Sequence, residues 1–77
     1  MYEQTFGQKA VGLSLNRCAE DVLVDVVKQH YAEIIDCLDF MRIDSRSTPE
    51  QKRLASIAIT EAQGGQMWAV KALTWRD

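Results

Sequence analysis

The side chains able to move a proton or hold a metal are few in this sequence of 77 residues. His30 is the only histidine, so no second imidazole can share a metal with it. His30 and Glu33 form a His-x-x-Glu pair, the reverse of the Glu-x-x-His order of di-iron helical bundles. The sequence therefore predicts a buried, hydrogen-bonded histidine, no metal site, no cofactor and no enzymatic activity.

Five carboxylates lie between residues 21 and 39: Asp21, Asp25, Glu33, Asp36 and Asp39. We interpret them as a solvated helix face in preference to an acid–base or metal cluster. Glu61 differs because it lies in line with Ile57, Gly64 and Trp68 at helical spacing. Its side chain is predicted either to be an exposed flank or to face a polar pocket between subunits.

Aromatic and basic side chains suit a different chemistry, the binding of a small nucleotide. Trp68 and Trp75 are seven residues apart and share a helix face, where they pack in an interface or core or provide a stacking platform for a base. The cations considered for phosphate are Lys9, Arg17, Lys28, Arg53 and Lys71. Dispersed along the chain, they would clamp phosphates only after assembly. A net charge of −2 argues against a nucleic-acid polymer as the partner.

The size of the chain makes association with other copies the expected source of stability. A core of this size rarely supplies more than about 3–5 kcal/mol without a disulfide, a metal or a partner. Cys18 and Cys37 fall on one predicted helix roughly 28 Å apart, too far for a disulfide. Unpaired cysteines, together with no signal peptide and no membrane-spanning apolar run, favour a cytoplasmic protein.

Hydrophobic periodicity predicts an all-α fold, an antiparallel αα-hairpin in a single domain of residues 1–77. An N-terminal arm covers residues 1–15, with an extended segment at Val11–Leu15. The first helix is expected at about residues 16–43. The second is expected at about residues 48–75, because Thr48, Pro49 and Gln51 match a capping box with proline at the first helical position.

Each predicted helix has a distinctive face. The first has an apolar stripe at spacings of four and three: Leu23, Val27, His30, Ile34, Cys37 and Met41. Four further residues widen it: Val26, Tyr31, Ile35 and Leu38. Its opposite, wetter face contains Asp21, Asp25, Lys28, Ala32, Asp36 and Asp39. The second helix has a seam of small residues that permits close helix packing: Ala55, Ala58, Ala62, Gly65, Ala69 and Ala72. The remaining apolar residues exceed what one partner helix can cover, so the chain is expected to form a homo-oligomer.

The two ends of the sequence resemble one known family. The second helix, Arg53-Leu-Ala-Ser-Ile-Ala-Ile-Thr60 followed by Gln66-Met-Trp-Ala-Val-Lys-Ala-Leu-Thr-Trp75, looks like the C-terminal helix of the phage anti-CBASS and anti-Thoeris hairpin domain. Phe6-Gly-Gln-Lys-Ala-Val-Gly-Leu-Ser-Leu-Asn16 resembles the arm of gut-phage members. The similarity covers nearly the whole chain.

This resemblance implies a non-enzymatic phage protein of the infected bacterial cytoplasm. Family members are helical homo-oligomers, commonly hexamers, that bind cyclic nucleotide messengers between subunits. The expected ligand is a cyclic dinucleotide, a cyclic trinucleotide or a cyclic ADP-ribose-type messenger. The resemblance implies ligand contacts at Lys28, Arg53 and Thr60, and we add Arg17 and Asn16 near the pocket.

Two positions depart from the family pattern. Ile59 stands where many relatives have an arginine, and Leu15 precedes Asn16 where relatives often have an aromatic residue. Arg17 is a candidate to replace the missing charge. An alternative function is a structural or interaction protein that docks a protein partner through its helical surface.

Overall fold

The computed structural model describes residues 3, 5–10 and 22–76 of the chain. Over these residues it contains three helices and no strand: α1 spans Phe6–Ala10, α2 spans Val22–Ile43 and α3 spans Pro49–Thr74. A short turn makes α2 and α3 antiparallel, so the predicted all-α hairpin is confirmed. None of these three helices has the length and apolarity needed to cross a bilayer.

The turn between α2 and α3 is closed by Asp44. Its carboxylate accepts a hydrogen bond from the backbone N–H of Arg46 at 3.0 Å, and it pairs with the Arg46 guanidinium at 2.8 Å. The Arg46 side chain, followed by its backbone N–H, holds the pKa of Asp44 below its ordinary value. The turn is therefore held by a local polar network around Asp44.

The capping box predicted at Thr48 is present. The N–H of Gln51 donates to Thr48 Oγ1 at 3.1 Å, and the N–H of Thr48 donates to Gln51 Oε1 at 2.7 Å. Pro49 follows at the first helical position, where a backbone N–H would have no partner within the helix, so the N–H that proline lacks is not needed. The two reciprocal bonds fix the point at which α3 begins.

Thr48→Ala is expected to lower the free energy of unfolding by about 1 kcal/mol, because it removes the acceptor for the Gln51 N–H. Thr48→Ser keeps that acceptor and is the matched control. Urea denaturation followed by circular dichroism measures both variants. Equal stability of the alanine variant and the wild type would show that the cap contributes nothing.

Helix α1 lies inside the predicted arm, which the sequence pattern does not predict to be helical. Its N-terminus has the same capping box as α3: the N–H of Gln8 donates to Thr5 Oγ1 at 3.1 Å, and the N–H of Thr5 donates to Gln8 Oε1 at 3.0 Å. Thr5-x-x-Gln8 was therefore a readable signal for this helix. The extended segment predicted at Val11–Leu15 lies outside the described residues.

The core lies between the small-residue face of α3 and one side of α2. Ala32 and Ile35 of α2 are 0% exposed and pack with Ile59 of α3, which is 5% exposed. The predicted seam of small residues contributes here: Ala55 is buried, and Ala62 packs against the same cluster. Small side chains on α3 let the helices approach closely enough to bury Ile35 fully.

The predicted apolar side of α2 is right in its wider part, where Ile35 is buried and Leu38 packs against the core, but its central line and the wetter face were assigned wrongly. Ala32 and Asp25, placed on the wetter face, are buried, whereas Leu23 and Ile34 of the apolar stripe are 64% and 51% exposed. The physical reason is that α3 and α1 pack against the Ala32 side. A stripe at spacings of three and four marks a surface that needs a partner, but it does not say whether that partner is in the same chain.

Candidate ligand-binding groove

An open groove of about 630 Å³ lies between the C-terminal end of α1 and the middle of α3. Its lining residues are Lys9, Ala10, Thr60, Gln63, Gly64, Gln66 and Met67. The volume is within the range of about 300–1,000 Å³ that small-molecule sites occupy. This groove is the candidate functional site.

The position of α1 against α2 depends on a glycine. The N–H of Gly7 donates to Asp36 Oδ1 at 2.6 Å, and a Cβ on Gly7 would overlap the backbone carbonyl of Ala32. Any side chain at residue 7 would therefore push α1 away from α2. Gly7 and Asp36 together set the distance between these helices.

Three further contacts hold α1 in place. Gln8 Nε2 donates to Gln29 Oε1 at 3.1 Å, and the Arg42 guanidinium lies 5.0 Å from the ring centroid of Phe6. Gln63 Nε2 of α3 donates to the carbonyl of Ala10 at 3.1 Å. Through Gln63, α3 is tied directly to the end of α1, and Lys9 is placed at the mouth of the groove.

The groove combines hydrogen-bond donors with apolar surface. Lys9 provides a cation and is exposed, while Thr60 Oγ1 donates to the carbonyl of Ser56 at 3.2 Å and keeps acceptor capacity for a ligand donor. Met67 provides an apolar wall. A lysine, a hydroxyl and amides beside an apolar wall suit a ligand with an anionic group and a flat ring.

A family model describing the Acb2/Tad1 hairpin domain matches residues 13–74. The chain belongs to the Acb2/Tad1 hairpin-domain family. This is the anti-CBASS and anti-Thoeris sponge family, so the resemblance inferred from the sequence is confirmed. No curated protein and no solved structure gives a significant match to the chain.

The Acb2/Tad1 match divides the groove into two parts. It includes Thr60, Gln63 and Met67, which line the α3 side, but it begins after α1. Lys9 and Ala10 therefore belong to a segment outside the matched hairpin.

The predicted contact residues are only partly brought together in one protomer. Thr60 lines the groove, whereas Lys28 is half-buried on α2 and Arg53 is exposed near the start of α3. Given the antiparallel register in which Ile35 packs with Ile59, Lys28 and Arg53 are about 20 Å apart along the hairpin axis. Asn16 and Arg17 lie outside the described residues.

Arg53 has an internal partner. Its guanidinium donates to both carboxylate oxygens of Glu50, at 2.9 and 2.6 Å. This bidentate pair lowers the pKa of Glu50 from its ordinary value. A phosphate that bound Arg53 would have to compete with the Glu50 carboxylate or share the guanidinium with it.

Thr60 is the one residue of the groove lining that sequence reasoning selected as a contact, and Lys9, Gln63 and Met67 are among those that it did not select. Lys9 was only one of five dispersed cations, because the arm was expected to be covered by the helices or by a neighbouring subunit, with no position assigned to it. The Thr5-x-x-Gln8 capping box and Gly7 are the signals that point to a docked helix. Nothing in the spacing of Gln63 distinguished it from an exposed glutamine.

An aromatic surface lies beside the groove. Trp68 and Trp75 are 71% and 61% exposed, and Lys71 Nζ lies 5.3 and 5.7 Å from their ring centroids. A second depression of about 240 Å³ is lined by Gly64, Met67, Trp68 and Lys71. Since Gly64 and Met67 line both depressions, the aromatic surface and the groove are continuous.

His30 is exposed, so the predicted burial of this residue was wrong. Its Nδ1 is 3.0 Å from the carbonyl of Val26 and donates to it in the Nδ1–H tautomer. The burial prediction failed because the stripe containing His30 faces away from α3. In the described part of the chain, no three His, Cys, Asp or Glu side chains are grouped to hold a metal ion.

Proposed function

We propose that this protein is a phage immune-evasion protein that binds cyclic nucleotide second messengers of host antiphage signalling, CBASS or Thoeris, and sequesters them without cleavage. Membership of the Acb2/Tad1 hairpin-domain family supports this class of function. The observation that carries the proposal is the groove in which Lys9 and Thr60 stand beside an apolar wall. Such a groove matches a ligand with both phosphate and base.

The functional unit in this proposal is a homo-oligomer, with a hexamer as the expected form, in the cytoplasm of the infected bacterial cell. Large apolar side chains on α2 and α3 support it: Leu23, Ile34, Phe40, Met67 and Trp68 are each at least half exposed. Side chains of this size in water favour association. The partner of each subunit is then another copy of the same chain.

Assembly also accounts for the scattered contact residues. Lys28 and Arg53 of one protomer are too far apart along the hairpin to hold one phosphate together. Cations from neighbouring copies, added to Lys9 and Thr60 of the groove, would surround a cyclic dinucleotide, a cyclic trinucleotide or a cyclic ADP-ribose-type messenger. Asn16 and Arg17 complete the proposed contact set.

A second candidate is a phage structural or interaction protein that docks a protein partner. The observation in its favour is the exposed line on α2 that contains Leu23, Ile34 and Met41. This candidate predicts a protein complex and no small-molecule binding. The groove and the family membership favour the sponge.

Isothermal titration of the assembled protein with a panel of cyclic dinucleotides, cyclic trinucleotides and cyclic ADP-ribose isomers tests the proposed function. At least one cyclic messenger is expected to bind and to be recovered unchanged afterwards. The matched ligand control is a linear dinucleotide of the same bases, which is expected to bind less tightly. Failure of every cyclic ligand to bind, or its recovery as a cleaved product, would contradict the proposal.

A further inference from the structure

The side of α3 that faces away from α2 has a regular pattern of its own. We call this exposed line, which is different from the seam of small residues, the α3 seam: Ile57, Glu61, Gly64, Trp68, Lys71 and Trp75. At about 100° per residue these side chains fall within about 40° of one line, opposite the buried residues Ala55, Ile59 and Gln66. Their spacings of four and three are those of a coiled-coil seam, which packs against another helix.

The order of residues along the α3 seam is self-complementary. If two α3 helices run antiparallel about a two-fold axis at the level of Gln66, three pairs form in one register, and symmetry makes each pair twice. The pairs are Gly64 with the partner's Trp68, Glu61 with the partner's Lys71, and Ile57 with the partner's Trp75. A small residue faces a large one, an acid faces a base, and an apolar side chain faces an apolar ring.

We propose that two copies of this chain pair antiparallel through the α3 seam, with Glu61 opposite Lys71 of the partner subunit and Gly64 opposite Trp68 of the partner subunit. The occupant of this exposed face is therefore a second copy. Charge and size are matched in this one register.

Neighbouring registers of the two α3 helices do not match charge and size in this way. A shift of one heptad in one direction places Glu61 opposite the partner's Gly64 and Lys71 opposite the partner's Leu54. A shift in the other direction places Lys71 opposite the partner's Trp68 and leaves Glu61 outside the overlap. Both shifts leave charged side chains against apolar or empty positions, which opposes association.

The local geometry at Gly64 fits a partner indole. Among the described residues, a Cβ on Gly64 would meet no atom outside the local helix backbone within 4 Å, so this side of the helix is open with respect to them. The depression of about 240 Å³ next to Gly64 is lined by Met67, Trp68 and Lys71. An apolar depression over a glycine accepts a large aromatic side chain at close range.

The pairing has a consequence for the ligand groove, and this part rests on the proposed function. Gly64 and Met67 line both the depression and the groove that contains Lys9 and Thr60. The partner's Trp68 would therefore close one end of the groove and offer a ring on which a base can stack. In this arrangement the binding site is completed by the second copy.

Charge reversal tests the register without any ligand. Glu61→Lys places like charges opposite each other at two symmetric positions, and Lys71→Glu does the same with the opposite sign. Each variant alone is expected to weaken α3-mediated self-association by about tenfold or more. An equimolar mixture of the two variants is expected to associate again, because every pair in the mixed dimer joins an acid to a base. Sedimentation velocity over a concentration series measures all three samples.

Glu33→Lys is the matched control, since it makes the same charge change on an exposed residue of α2. It is expected to associate like the wild type, and circular dichroism checks that all variants remain helical. Single variants that associate as tightly as the wild type, or a mixture that associates no better than its components, would overturn the pairing. If the wild type binds a cyclic messenger while the mixture of the two variants fails to recover self-association, the pairing is wrong and the proposed function stands.

Discussion

Gly7→Ala is expected to detach α1 from α2. The added Cβ would overlap the carbonyl of Ala32 and come within 2.7 Å of Asp36 Oδ1, which is the acceptor of the Gly7 N–H. The backbone carbonyl belongs to the middle of a helix and cannot move aside, so the five-residue helix α1 must move instead. One methyl group then removes the α1 wall of the groove.

Limited trypsin digestion measures this change, because Lys9 is followed by Ala10 at the end of α1. Detachment is expected to accelerate cleavage after Lys9 by about tenfold or more, since a docked helix must first open locally to be cut. Gly64→Ala is the matched control: its Cβ meets no atom of the described residues outside the local helix backbone within 4 Å, and it should leave the rate unchanged. Equal cleavage rates for wild type and Gly7→Ala would mean that α1 is not held by this close approach.

Lys9→Gln is expected to weaken binding of a cyclic messenger by about ten- to hundredfold. Hydrogen bonds to charged groups contribute about 1.5–3 kcal/mol, and Lys9 is the cation that lines the described groove. Glutamine keeps a hydrogen-bond donor on a shorter side chain but removes the positive charge. The loss should shrink as salt is added, because an exposed charge is screened.

Lys52→Gln is the matched control for Lys9→Gln. Lys52 lies in the first turns of α3, where it acts on Asp44 of the turn, far from the groove. Its neutralisation changes the net charge equally and should change the dissociation constant little. Equal losses of affinity in both variants would show that net charge causes the effect and that Lys9 does not contact the ligand.

The hairpin could be predicted from sequence because its signals are local. Thr48, Pro49 and Gln51 specify the start of α3 through hydrogen bonds within one turn, and Asp44 and Arg46 close the preceding loop. The same local rule applied to Thr5 and Gln8 would have predicted α1. Its short length, with Gly7 inside it and Gly12 two residues after it in the sequence, favoured an interpretation as an extended arm.

The buried side of α2 could not be derived in the same way. Ile34 and Ile35 are adjacent and equally apolar, yet one is 51% exposed and the other is 0% exposed. Periodicity shows that α2 has two apolar lines but not which of them α3 covers. That choice is made by the small residues of α3 and by the approach of Gly7 to Ala32, both of which are long-range contacts.

A residue of the candidate site could be predicted from the sequence only where its position depends on a single helix. Thr60 was selected and does line the groove, whereas Lys9 reaches it through the packing of α1. Ile59 shows why a family resemblance cannot be transferred residue by residue: its side chain is buried against Ala32 and Ile35. A charge at that position would be buried in this core.

Native mass spectrometry of the protein, mixed with a cyclic messenger that binds to it, tests the central claim. That claim is that copies of this hairpin assemble to make the binding site. The expected spectrum contains assemblies of several chains that retain intact messenger, and single chains that carry none. Messenger retained on single chains, or assemblies that never retain it at saturating concentration, would contradict the account.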